Sequence, residues 1–274
     1  MLAYLALTLF GVSAKVETDV VYAKVAGVDL MMDVYHPNPA PSGKAAAVVV
    51  IHGGAWMGGK RQDMAELCEA IAKKGMLAAT VQYRLAPKFK WPAMWDDTQT
   101  AVRYLRANAN KYGIDPNRIG ATGASAGGHL SLMLGSTDTR DPNAEHFKGF
   151  SSRVKAVLNL FGPTDMANDY PPQMDFLFMQ VLGKPKAQAA AEIKEASPVT
   201  HMKKGAAAVF TIHGSTDPLV PVNQVKRLDD ALKAAGVSHT QRIIDGMGHE
   251  IAKTKPEAMK AMEEGLNWLV TQLK

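Results

Sequence analysis

The sequence predicts a single α/β domain with a mostly parallel sheet covered by helices on both faces, and three observations carry that expectation. Strand-like and helix-like patterns alternate from about residue 16 to the end. The run AAAVVVIH at 45–52 is continuous and rich in valine, as a central parallel strand buried on both faces requires. No repeat, low-complexity tract or Ser/Gly linker divides the 274 residues, a length that suits one large domain.

The elements follow in order. Residues 16–24 and 28–35 read as two short strands with Gly27 at the turn between them. After the central run, further apolar strands are expected at 76–83, 118–122, 154–160, 206–213 and 241–244. Val222, Val225, Leu228, Leu232 and Ala235 step by three or four and stop at Gly236, a good helix terminator. Met259, Met262, Leu266 and Leu269 repeat that spacing in the last segment, where methionines serve as core. In such sheets, ligands sit at the carboxyl ends of the strands.

Composition narrows the function classes. A net charge of +5, dispersed along the chain, is no nucleic-acid signature. The single cysteine, Cys68, excludes an internal disulfide and a Cys-based zinc site, and its amphipathic surroundings read as a buried thiol. Residues 1–14 (MLAYLALTLFGVSA) are apolar and uncharged and end in small residues at Val12 and Ala14. They read as a signal-peptide remnant, too short for a transmembrane helix, with an N-terminal helix packed on the body as the alternative. Export to the periplasm or beyond, without stable membrane insertion, is the expectation; cytoplasmic residence follows if the segment is no signal.

Gly123-Ala124-Ser125-Ala126-Gly127 follows a strand and precedes an apolar helical stretch. This G-x-S-x-G pattern makes a turn tight enough to expose Ser125, with the following helix aiming its amides at the reacting centre. A serine hydroxyl is a weak nucleophile and needs a base, which in turn needs an orienting acid. Asp217, in HGSTDP, and His249, in GMGH, each follow a strand and stand thirty-two residues apart. That leaves room for one helix and one strand, so all three residues belong on one rim. His52-Gly53-Gly54-Ala55-Trp56 follows the strongest strand, and the Gly53 and Gly54 amides, with that of Ala126, suit an oxyanion. His52 reads as a loop support.

Two rival motifs fail on particular residues. GAWMGGK, 54–60, matches a phosphate-binding loop, but Arg61 stands where a magnesium-binding Ser or Thr belongs. Asp138, Asp141, Asn143 and Glu145 lack the glycine and distal glutamate of a calcium loop. No metal site is expected.

Taken together, HGGAW, YRLAP at 83–87, GASAGGHL, HGSTDPLVP and GMGHE resemble the α/β-hydrolase esterases over nearly the whole chain after residue 15. Among these the chain is similar to hormone-sensitive-lipase-like bacterial esterases and their feruloyl- and acetylxylan-esterase relatives. The resemblance implies an eight-stranded sheet and cofactor-free hydrolysis of carboxylic esters. It assigns Ser125 as nucleophile, Asp217 as triad acid, His249 as base, and Gly53, Gly54 and Ala126 as the oxyanion positions. Two departures stand out: Ala55 replaces the third glycine of the usual loop, and Ala124 replaces the aspartate that often precedes the nucleophile. The second favours the feruloyl/acetylxylan branch.

These readings define a catalytic domain over 15–274, with 163–204 as a candidate minimal cap over an open site. Trp56, Phe89 and Trp91 are candidates to line the substrate pocket, with loop bracing as the alternative. The expected substrates are short-chain acyl or aryl esters, free or carried on plant polysaccharide. An aryl formamidase or amidase on the same triad is the rival within enzymes. A non-catalytic ligand-binding protein on the same scaffold is the rival outside them.

Overall fold

A computed structural model describes residues 14–140, 145–170 and 172–274. The apolar segment read as a signal remnant lies, but for Ala14, outside the described residues. The chain runs β1 (Val16–Val25), β2 (Val28–Tyr35), β3 (Ala45–Ile51), α1 (Ala65–Lys73), β4 (Leu77–Val81), α2 (Ala93–Ala107), α3 (Ala109–Tyr112), β5 (Ile114–Ala124) and α4 (Ala126–Ser136). It continues with β6 (Ala156–Leu160), α5 (Asp175–Leu182), α6 (Ala190–Glu195), β7 (Ala208–Gly214), α7 (Asn223–Ala234), β8 (His239–Ile244) and α8 (Pro256–Gln272).

The eight strands form one sheet in the order β1-β2-β4-β3-β5-β6-β7-β8, matching the predicted strand number and mostly parallel character. Only the β1–β2 and β2–β4 pairings are antiparallel. Strand β3 sits between β4 and β5, parallel to both. Its seven residues are all buried, and its period of two divides them between two cores. Ala45, Ala47, Val49 and Ile51 join the core that includes α2 and α4 residues such as Met94, Leu105, Leu130 and Met133. Ala46, Val48 and Val50 join the opposite core, with Cys68 and Ile71 of α1 and Leu266 and Leu269 of α8. An uninterrupted apolar run is therefore needed here, since either face meets helices.

Strand β5 is longer than the sequence signal suggests. It begins at Ile114, where the pairing of Ala45 with Ile114 precedes a register shift, because Pro116 and polar residues interrupt the apolar pattern. Cys68 is fully buried, and burial pushes its thiol well above the ordinary range. Among the described residues, no helix is long and apolar enough to cross a membrane.

The described residues of the 163–204 segment form α5, α6 and short 3-10 turns. Met166, Phe178, Val181, Leu182, Ile193 and Ala196 belong to the same core as α4. Phe176 points outward at 64% exposure, so packing on the body accounts for only part of this aromatic-rich piece.

Candidate active site

Three strand ends deliver the predicted trio to one place. Ser125 lies between β5 and α4 with φ 55° and ψ −120°, a conformation that costs an L-residue about 1–3 kcal/mol. The neighbouring glycines make the bend feasible. A Cβ on Gly127 would stand 2.0 Å from the Ile51 carbonyl oxygen, and one on Gly123 would stand 2.5 Å from the same atom. The turn is held by the Ser125 amide, which donates to the Leu160 carbonyl of β6 at 2.9 Å.

His249 Nε2 lies 2.8 Å from Ser125 Oγ, and its Nδ1 lies 2.7 Å from Asp217 Oδ2. A carboxylate only accepts, so Nδ1 carries the proton and Nε2 is left free to accept from the serine hydroxyl. The second Asp217 oxygen accepts the Leu219 and Val220 amides, each at 2.9 Å. Burial pushes the Asp217 carboxyl up, but the His249 bond and these two amides outweigh it, holding it below the ordinary carboxylate range. The acid and base loops are also joined to each other. The Thr216 amide donates to the Met247 carbonyl at 3.2 Å, and the Gly246 amide donates to Ser215 Oγ at 2.9 Å.

The glycine loop borders the nucleophile. A Cβ on Gly53 would stand 3.4 Å from Ser125 Cβ. Gly54 has φ +107°, and its carbonyl accepts from Met57 at 3.0 Å and Gly58 at 2.9 Å, closing a tight turn. Ala55 (φ 53°) and Trp56 (φ 59°) are left-handed too, although neither has glycine's freedom, at about 1–2 kcal/mol each. The Ala126 amide opens α4, where the first N–H groups have no acceptor within the helix. His52 is buried, stacks on Tyr83 with ring centroids 4.3 Å apart, and places Nδ1 2.7 Å from the Gly53 carbonyl. Burial lowers its pKa, and its position fits the loop-supporting role.

The three candidate pocket aromatics each have defined partners. Trp56 and Trp91 are buried and both pack on His129, at centroid distances of 5.1 and 5.6 Å. Trp91 Nε1 donates to Glu195 at 2.9 Å. Phe89 packs against the cations of Arg84 and Lys88. Among the described residues, no group of three or more His, Cys, Asp or Glu side chains is placed to hold a metal ion; Asp141 and Asn143 lie outside them.

Two neighbours of the triad were not singled out from sequence. Phe161, left-handed at φ 41°, packs edge-on against the His249 ring at 4.8 Å. The Gly162-Pro163 pair directly after β6 was the available turn signal on the same rim. His213 Nε2 lies 2.8 Å from the Val220 carbonyl and 3.4 Å from Asp217 Oδ2, bracing the acid loop from beneath. In the sequence, its HGSTDP motif points to Asp217 alone.

The family model described as BD-FAE matches residues 32–232. Esterase LipC of Mycobacterium tuberculosis is 33% identical over 242 residues, covering 83% of this chain and 60% of its own length. Among solved structures, the butyrate-bound esterase Est2 of Thermogutta terrifontis superposes with a TM-score of 0.80 at 26% identity, covering 96% of this chain and 95% of that one. A truncated carbohydrate esterase from gut microbiota gives a TM-score of 0.82 at 26% identity, over 96% of this chain and 98% of that one. The first three curated relatives are longer proteins, of which the matched regions span 60, 47 and 52%.

Proposed function

The chain belongs to the BD-FAE family, with the α/β-hydrolase fold, and on that premise we propose that it is a serine carboxylesterase. The observation that carries this reading is the unbroken chain Ser125 Oγ–His249–Asp217, with bonds of 2.8 and 2.7 Å. Ser125 attacks the ester carbonyl as His249 Nε2 takes its proton. Asp217 holds the imidazole in the required tautomer and stabilises its positive charge. The Gly53, Gly54 and Ala126 amides receive the oxyanion, an interaction absent from the flat ground-state carbonyl. The protonated His249 then gives its proton to the departing alcohol. Water enters by the same steps in reverse and frees the carboxylic acid.

Short acyl chains are the proposed substrates, with acetyl or feruloyl groups on polysaccharide as the natural form. The butyrate-bound and carbohydrate-esterase neighbours support that choice, as does Ala124 before the nucleophile. Export, proposed from the apolar segment 1–14, is read by N-terminal sequencing of the mature protein.

The test is hydrolysis of p-nitrophenyl esters from acetate to palmitate, with Ser125→Ala as control. The expected result is a maximum at acetate to butyrate that vanishes in the variant, followed by release of acetate from acetylated xylan or of ferulate from methyl ferulate. Turnover surviving in Ser125→Ala would overturn the mechanism. Turnover of formanilides but not esters would transfer the same triad to an amidase.

A further inference from the structure

His129 has no part in the chemistry described so far, yet it touches three separate parts of the site. It lies one turn beyond the nucleophile, its amide donating to the Ser125 carbonyl at 3.0 Å. Its ring is fully buried and partnered at both nitrogens. Nε2 lies 2.6 Å from the Ala196 carbonyl of the 163–204 segment, and Nδ1 lies 3.2 Å from Trp56 Nε1. A carbonyl can only accept and an indole N–H can only donate. The ring is therefore held neutral, with its proton on Nε2 and Nδ1 accepting from Trp56.

Trp56 ends three successive left-handed residues, Gly54, Ala55 and Trp56. Two of these would relax to ordinary backbone if nothing held them. Besides the Met57 and Gly58 amides on the Gly54 carbonyl, they are held by the Trp56 carbonyl, accepting from Ala86 at 2.9 Å, and by the Trp56 indole, bonded to His129 and set edge-on against its ring at 89°. The Gly53 and Gly54 amides lie immediately upstream, so any unwinding of this turn shifts them relative to Ser125.

We propose that His129 is the positioning residue of the oxyanion loop: by holding the Trp56 indole it ties the Gly53–Gly54 turn to the helix that carries Ser125. The inference rests on the serine-esterase reading and deepens it. It assigns Trp56 to the loop's support and not to the acyl pocket. It also makes Ala196 the point at which the 163–204 segment meets that support.

The test is steady-state kinetics on p-nitrophenyl acetate with wild type, Ser125→Ala, Trp56→Phe and Trp95→Phe. Trp56→Phe keeps a ring against His129 and removes only the indole N–H and the larger ring's bulk. Trp95→Phe controls for that bulk, since it lies in the same aromatic cluster, stacked on Trp91, and its buried indole N–H has no hydrogen-bond partner among the described residues. The oxyanion exists only along the reaction path, so Trp56→Phe should lower kcat about tenfold with KM within about twofold. Trp95→Phe should match wild type. A Trp56→Phe enzyme with wild-type kcat, or one changed in KM alone as an acyl-pocket residue would be, overturns the inference while leaving the esterase reading intact. A wild type inert towards every ester overturns that reading, and the tether is then judged by NMR. The Trp56 indole proton, assigned by its loss in Trp56→Phe, should exchange slowly, and His129 should show the Nε2–H tautomer. A rapidly exchanging indole proton or the other tautomer overturns the tether.

Discussion

Asp217 illustrates how one side chain sets the state of another. One oxygen is occupied by two backbone amides, and the other faces His249 Nδ1 at 2.7 Å. In Asp217→Asn the Leu219 and Val220 amides can still donate to the remaining oxygen, which turns an NH2 group towards Nδ1. The imidazole must then accept at Nδ1 and carry its proton on Nε2, where it cannot receive one from Ser125. We expect kcat to fall about 10^4-fold with the melting temperature close to wild type. A loss under tenfold on p-nitrophenyl butyrate would show that Asp217 does not orient the base.

At the scale of elements, the turn from β5 into α4 depends on close approach to the end of β3. A methyl group on Gly127 would meet the Ile51 carbonyl oxygen at 2.0 Å and the His52 carbonyl oxygen at 2.7 Å, and neither backbone atom can rotate away. Gly127→Ala should therefore cost at least about 1–3 kcal/mol through overpacking, with roughly 2–4 °C lost from Tm for each kcal/mol. Gly43, which has nothing within 4 Å of its would-be Cβ, is the matched control, and Gly43→Ala should melt with wild type. Equal melting of the two variants would mean that the turn is not sterically fixed. A second pairing of elements joins the loop after β4 to α2. The Arg84 guanidinium bonds both oxygens of the buried Asp97, at 2.7–3.0 Å, and the Arg84 amide adds a third donor at 2.8 Å. Burial pushes the Asp97 carboxyl up despite these partners. Arg84→Ala leaves that carboxylate without its cation and should cost about 3–5 kcal/mol in urea unfolding.

For the molecule as a whole, buried neutral histidines set the response to acid. Burial lowers His129 to about 4, and burial also lowers His52, His213 and His239. In the unfolded chain each takes up a proton near about pH 6.5. Between that pH and about 4 the unfolded state binds more protons than the folded state, so stability rises with pH across the window. Lowering the pH from about 6.5 to about 4 should steadily reduce the urea midpoint. A midpoint level from pH 7 to 4.5 would show that these rings are protonated in the folded protein.

Much of the site was legible because its parts are local. G-x-S-x-G, HGGAW and the Asp217 and His249 loops each sit within a few residues of a strand end, and a parallel sheet collects such ends on one rim. The valine-rich run at 45–52 announced the central strand because both of its faces are buried, which removes any polar alternation. What the linear chain did not reveal depends on contacts between distant positions. Trp56 and His129 meet across seventy-three residues, and Phe161 reaches His249 only after β6 and β8 have been set on either side of β7. Whether an aromatic lines a pocket or braces a loop is likewise decided by what surrounds it, and the His129 ring that Trp56 and Trp91 share is no neighbour of theirs in the sequence. Local sequence governs which turns and strand ends can form. The tertiary structure decides which partner each buried polar atom finds, because that partner comes from another part of the chain.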